Sequence, residues 1–250
     1  MYLLAFDPIL TIAAIVPAVV LLVMVYKADK LDKEPRGLLI KLIFLGIIST
    51  MIAVVLETIG QYVLSPLNPN SLIYNILMYF GVVAFSEEWA KYVVLKRATW
   101  KHPAFNCMFD GVVYSVFVGL GFALWENIQY VAMYGFETAI VRAFTAVPGH
   151  CCFAVFMGVW YGMAKRYEYA GEFQKAKHAR TMCVVMPAIM HGIYDFIATW
   201  ENGIGLMFLI FVIIMFIWAA RLLKTMSRDD KYIGYQGQRD DYTDTNYRQF

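Results

Sequence analysis

From about residue 9 to residue 224 the sequence is a succession of apolar runs. Each is close to or longer than the roughly 20 residues an α-helix needs to cross a bilayer. They read at about 9–27, 38–63, 72–95, 108–134, 139–164, 182–200 and 204–224. None alternates as a barrel strand would, and in lipid a segment must satisfy its own backbone, so these runs are expected to be helices. The composition agrees. Only 16% of residues are charged, where a soluble domain carries about 25%. The expected fold is all-α: a polytopic membrane helical bundle of about seven transmembrane helices, in a multi-pass protein of the cell membrane with the lipid bilayer around it.

Charge outside the runs gives an orientation. The connection "YKADKLDKEPRG" after the first run is basic, "SPLNPNS" is not, and "KRATWKHPAF" is basic again. The short fourth connection holds only Glu137, the fifth, "KRYEYAGEFQKAKHAR", is strongly basic, and the sixth is "ENG". By the positive-inside rule the odd connections and the C-terminus are expected in the cytoplasm and the N-terminus outside. Residues 1–224 read as one membrane-embedded domain and 225–250 as a polar cytoplasmic tail, expected to be disordered. Residues 1–8 carry no Lys or Arg, so the first run is expected to stay as an anchor and not to be a cleaved leader. The four cysteines, Cys107, Cys151, Cys152 and Cys183, have no paired metal-ligand spacing and read as packing residues. No nucleic-acid partner is expected.

The informative residues are ionisable ones at membrane depth, each costing roughly 2.5–3.5 kcal/mol at a helix centre. The third run carries Glu87, Glu88 and Lys91 in "FSEEWAKY". The fourth carries Glu126, and Asp110 near its start. The fifth carries His150, and the sixth His191 and Asp195. Lys91 stands four residues after Glu87 and three after Glu88, and His191 and Asp195 are four apart, so each set shares a helix face. Glu87 and Glu88 point about 100° apart and cannot do the same job. Counting along the helices puts Glu87 nearer the cytoplasm, the two histidines near the middle and Glu126 nearer the outside, a mismatch in depth. Glu57 and Arg142, near run ends, read as interfacial or snorkelling side chains. Gly158 and Gly162 read as a helix contact.

Taken alone, an intramembrane Glu–Lys pair is as often a packing device, and a lone membrane histidine as often a helix–helix hydrogen bond. Four successive helices that each bring an acid or a histidine ask for more. A semi-buried cavity of carboxylates and imidazoles suits hydrolysis by activated water, with glutamate as general base and histidine facing the oxyanion or holding a metal. The same set suits a proton relay in an ion-coupled transporter.

The motifs "EEWAK", "FALWEN" and "HGIYD" together resemble the PrsW family of intramembrane proteases. That family is a branch of the wider group of CAAX prenyl proteases and bacteriocin-related membrane proteases. Its pattern of EExxK, FxxxE and HxxxD on successive helices is met by Glu87, Glu88 and Lys91, by Phe122 and Glu126, and by His191 and Asp195. "DKLDKEPRG" is similar to the family's early cytoplasmic element, and His150 to a further histidine between the second and third motifs. The resemblance implies a peptidase, glutamic-type or metallo-type, acting on a single-pass membrane protein. Known members suggest site-1 cleavage of an anti-sigma-factor-like protein in regulated proteolysis. It implies catalytic roles for Glu87, Glu88, Glu126 and His191, supported by Lys91, His150 and Asp195, with Glu87 favoured over Glu88 as the base. Zinc on His150, His191, Asp195 and Glu126 is one implied arrangement. The sequence lacks HExxH, so a metal-free glutamate mechanism stands at least level with it.

Overall fold

A computed structural model describes residues 8–200 and 205–234. Most of the stretch read as lacking a leader, the sixth connection, and the end of the tail expected to be disordered lie outside the described residues. The helices are α1 (Pro8–Ala28), α2 (Arg36–Leu64), α3 (Leu72–Ile76), α4 (Phe85–Thr99), α5 (Asp110–Tyr134), α6 (Phe136–Phe144), α7 (Ala146–Tyr169), α8 (Phe173–Trp200) and α9 (Leu206–Arg228). A π-helical stretch, Leu77–Ala84, joins α3 to α4 without a break. No strand occurs among the described residues, only an isolated bridge between Cys107 and Tyr232.

Among the described residues six helical stretches are long and apolar enough to cross a membrane, and the chain is a multi-pass membrane protein. They correspond to six of the seven expected spans. The third, 72–95, is helical throughout but divided into three segments, and its last segment carries Glu87, Glu88, Lys91, Lys96 and Arg97. It runs one turn further than the apolar residues suggest, to Thr99. The fifth is interrupted at Thr145, between α6 and α7. Pro148 has no N–H to return to the Phe144 carbonyl, so the ladder lapses there. α8 begins at Phe173, well before the apolar run, because hydropathy marks the lipid-soluble part of a helix and not its end.

α5 is the central element. Every residue from Asp110 to Ala123 is buried, as expected of a helix surrounded by others. It packs against α7, α2 and α1, and α7 in turn packs against α8. Ile40, Phe44 and Ile48 on α2, and Ile210, Ile213 and Ile217 on α9, stay exposed, an outer surface suited to lipid.

Small residues set the closest approaches. A Cβ on Gly158 of α7 would run into Val112 Cα and the Gly111 carbonyl of α5, so Gly158 and Gly162 are the helix contact their spacing suggested. A Cβ on Gly192 of α8 would strike the Phe80 ring of the π-helical stretch, which brings that stretch against α8 beside His191.

The tail boundary at 224 falls inside α9. Beyond Arg228 the chain docks on the loop before α5: Ile233 N donates to the Asn106 carbonyl (2.6 Å), Met108 N to the Lys231 carbonyl (3.2 Å) and Phe109 N to Asp230 Oδ1 (2.9 Å).

Gly158→Leu should force α5 and α7 apart. A loss of about 1–3 kcal/mol or more is expected, read as a lower thermal midpoint and less monodisperse protein in detergent.

Candidate active site

α4 begins where the π-helical stretch ends, and its first turn carries the acids. π-helical segments are rare and concentrate at functional sites. Lys91, one turn on, donates to Glu88 Oε1 at 2.7 Å and to Glu87 Oε2 at 3.0 Å. All three side chains are buried, Glu88 completely. The i,i+3 and i,i+4 spacing makes this triad a property of one helix, before any tertiary contact forms. The Lys91 ammonium also lies 4.0 Å from the centre of the Phe122 ring, which meets it from α5.

Two histidines connect α4 to the neighbouring helices. His191 of α8 places Nδ1 3.2 Å from Glu88 Oε1 and Nε2 3.3 Å from Asp195 Oδ2, one turn further along its own helix. His150, in the first turns of α7, has Nδ1 3.3 Å from Lys91 Nζ and Nε2 2.7 Å from Glu126 Oε2. Lys91 can only donate, so Nδ1 of His150 accepts and its Nε2–H donates to Glu126. The two imidazoles sit edge to face, 5.4 Å apart, and Phe153 stacks on His191 at 4.7 Å. Residues of four successive expected spans are thereby brought together, and Glu87, Glu88, Lys91, Glu126, His150, His191 and Asp195 all belong to one network.

The mismatch in depth narrows to about 6 Å along the helices. Because α4 continues to Thr99, Glu87 lies twelve residues from the end of its helix, about 18 Å. Glu126 lies sixteen residues from the start of α5, about 24 Å. The remaining difference is within the reach of His150, which bridges Lys91 to Glu126.

Arg142 and Glu57, expected as interfacial or snorkelling side chains, both turn towards the network. Arg142 of α6 donates to Glu126 Oε2 (2.9 Å) and to Asn127 Oδ1 (2.9 Å), and its guanidinium lies 4.0 Å from the centre of the Tyr130 ring. Asn127 then donates to the Ala14 carbonyl of α1 (2.8 Å). The break at Thr145 allows this, since it lets α6 fold its arginine back over α5. Glu57 of α2 lines the cavity described next. Both residues stand near run ends, where position favours snorkelling; no signal within their own helices marks them as inward-facing.

A cavity of about 430 Å³ opens on this network. Glu87, Glu126, His191 and Asp195 line it, with Glu57 and Thr50 from α2, Tyr79 from the π-helical stretch, and Gln129 and Tyr130 from α5. Val54, Val83 and Ala198 supply apolar wall. Glu88 is absent from the lining, so the two adjacent glutamates divide as their angular separation requires. Glu87 meets the cavity and Glu88 stands behind it.

Donor atoms of Glu87, Glu88 and His191 lie within 4.8 Å of one another, and Glu88 Oε2 is buried without a hydrogen-bond partner. This set shares only His191 with the four residues first considered for zinc. Both nitrogens of His150 are already engaged, by Lys91 and by Glu126.

The profile described as "PrsW family intramembrane metalloprotease" matches residues 34–220. Protease PrsW of Bacillus subtilis (strain 168) is 34% identical over 187 residues, covering 75% of this chain and 81% of the relative. Protease PrsW of Oceanobacillus iheyensis is 32% identical over 212 residues, 85% and 93% of the two chains. Protease PrsW of Clostridioides difficile (strain 630) is 30% identical over 230 residues, 90% and 92%. No solved structure matches the chain. The match begins after α1 and spans every helix that carries a charged or histidine side chain of the network, and the chain belongs to the PrsW family of intramembrane proteases.

Proposed function

We propose that this peptidase hydrolyses a peptide bond of a single-pass membrane protein in the cavity between α2, α4, α5 and α8, with Glu87 as general base. The observation that carries this reading is the division of labour in "EEWAK": Glu87 lines the cavity, while Glu88 is fully buried behind it. In the proposed step Glu87 takes a proton from water as the oxygen attacks the carbonyl carbon. The same proton then passes to the leaving amine. Lys91, bonded to both acids, holds Glu87 in place. His191 lines the cavity with both ring nitrogens held by Glu88 and Asp195, and would turn one N–H from its carboxylate to the oxyanion as charge develops there. Glu126, fixed by Arg142 and His150, keeps the far wall polar and wet. A substrate of the anti-sigma-factor kind, cut at site 1, and a cytoplasmic face at the basic connections belong to this proposal as well.

The family's description implies a metal. Two carboxylates, one imidazole and an orphaned buried oxygen are donor types that zinc accepts, so Glu88, His191 and Glu87 would hold it. A metal bound there would supply Lewis-acid polarisation of the carbonyl and a more acidic water. As ligands, Glu87 and His191 would give up the general-base and N–H donor roles they hold in the metal-free step. The transporter reading of the same residues receives no support from the relatives, which are named as proteases.

Reconstituted protein should cleave a panel of single-span substrates, and Glu87→Gln should lower kcat by about 10²- to 10⁴-fold while still folding. Cleavage by Glu87→Gln at the wild-type rate would remove Glu87 from the mechanism. Each reaction should be repeated with a strong chelator. Activity that survives leaves glutamate-activated water sufficient, whereas activity lost and restored by zinc makes Glu87, Glu88 and His191 a ligand set.

Arg142→Leu leaves Glu126 with His150 alone. With Glu126 21% exposed, a loss of about 1–3 kcal/mol is expected, below the 3–5 kcal/mol of a fully buried pair. Adding Glu126→Gln should recover part of that stability but no activity, as thermal unfolding and cleavage assays run side by side would read.

A further inference from the structure

A second group of acids lies at the other end of α5, remote from the cavity. Asp29 and Glu34 come from the loop after α1, Asp110 from the first residue of α5, and Asp230 from the segment after α9. Asp29 and Asp110 are fully buried, Glu34 nearly so, and Asp230 partly.

The hydrogen bonds leave a consistent remainder. Asp110 Oδ2 accepts from Cys107 N (2.6 Å) and Asn106 N (2.9 Å), and Asp110 Oδ1 has no partner. Asp230 Oδ1 accepts from Phe109 N and Lys231 N, both at 2.9 Å, and Asp230 Oδ2 has none. Neither oxygen of Asp29 has one. Glu34 accepts a hydrogen bond from the Tyr114 hydroxyl. Backbone N–H groups thus pin one oxygen of Asp110 and of Asp230 and leave the other free. Donor atoms of Asp110, Asp230 and Cys107 lie within 4.8 Å of one another, about the span of two ligands across a calcium ion.

No Lys, Arg or His among the described residues forms an ion pair with Asp29, Glu34, Asp110 or Asp230. Lys33, the nearest cation in sequence, donates instead to the carbonyls of Tyr26 and Asp29.

We propose that Asp110 and Asp230, whose free oxygens converge, with Asp29 and Glu34 beside them from the loop after α1, bind a divalent, oxygen-seeking cation of the Ca²⁺ type. The ion fastens the segment after α9 to the loop after α1 and the start of α5. Oxygen donors outnumber the single thiol, which favours a hard cation over zinc. The three ligand-bearing segments already touch: Ser227 Oγ donates to the Ala28 carbonyl, and 231–233 dock on 106–108. The ion would add the one link that these neutral contacts lack, a charge shared by all three.

The test uses full-length protein in detergent, stripped with a chelator, with calorimetric titration and thermal unfolding against Ca²⁺, Mg²⁺, Mn²⁺ and Zn²⁺ chlorides. One equivalent of Ca²⁺ should bind and raise the unfolding midpoint by several degrees at saturation. Asp29→Asn and Asp230→Asn should weaken binding at least tenfold and erase that shift. His191→Ala should keep both, which separates this site from any metal at the cavity and makes the outcome independent of the protease mechanism. Should Asp29→Asn not fold, Asp230→Asn decides, since its retained carbonyl oxygen can still accept from Phe109 N. Absence of binding by Ca²⁺, Mg²⁺ and Mn²⁺ would overturn the proposal. So would an equal shift in Asp230→Asn, or binding of Zn²⁺ alone that Cys107→Ser abolishes.

Discussion

Lys91 is the residue on which the site's electrostatics depend. Its ammonium touches Glu87, Glu88 and His150, and lies over the Phe122 ring. Those contacts reach α4, α5 and α7 from one atom. Taking away one partner of a buried ion pair costs about 3–5 kcal/mol because a charge is left uncompensated. Here removal of the lysine would leave two adjacent carboxylates so. Two adjacent acids, one lining the cavity and one buried behind it, are therefore tolerated only around this cation, and His150 links the same cation to Glu126.

Fixing the cation does not by itself make a cavity. That requires the walls to stand apart on one side while the backbones close on the other. Glycines do the closing: Gly158 and Gly162 against the start of α5, and Gly46 and Gly121 where α2 meets α5. The π-helical stretch lies between α2 and α8, approached by Gly60 from one and Gly192 from the other, and it delivers α4 to the cavity floor. α2 and the π-helical stretch together give the cavity Thr50, Ala53, Val54, Glu57, Tyr79 and Val83. A substrate strand lying there would meet Val54 and Val83 on its way to Glu87.

Much of this was legible in the sequence because the strongest signals are local. The i,i+3 and i,i+4 spacings within "EEWAK" and "HGIYD" specify contacts that hold on any straight helix, and they are present. The apolar runs marked the helices because lipid leaves a backbone few alternatives. What stayed hidden depends on partners distant in sequence or on irregular backbone. Nothing near Arg142 announces that a proline six residues later will break the helix and turn the arginine onto Glu126. Glu57 looks like an end-of-span residue until α4 and α8 place a cavity beside it. The π-helical stretch has no sequence pattern distinct from that of an apolar α-helix. Asp29, Glu34, Asp110 and Asp230 are scattered over some 200 residues, and only the fold of three separate segments brings them to one place.

The order in which charges find partners also bears on how such a chain can be built. An ionisable residue entering a bilayer alone is costly on any scale, so compensation available within the entering segment matters more than compensation that waits for assembly. Glu87, Glu88 and Lys91 are already paired when α4 forms. His191 and Asp195 are paired when α8 forms. Glu126 is the exception on its own helix, and its arginine comes on α6, the next element of the chain, joined to α5 through Gly135 alone. Each membrane segment thus arrives close to electrically self-sufficient. Apart from the Arg142–Glu126 pair, the polar contacts that join these segments at the network, His191 with Glu88 and His150 with Lys91 and Glu126, run through imidazoles. Those are the groups that can enter the bilayer neutral and take up their charge or hydrogen bond afterwards. Chemistry and insertion therefore ask for the same residue types: fixed charges balanced within a helix, and titratable rings to join the helices around the cavity.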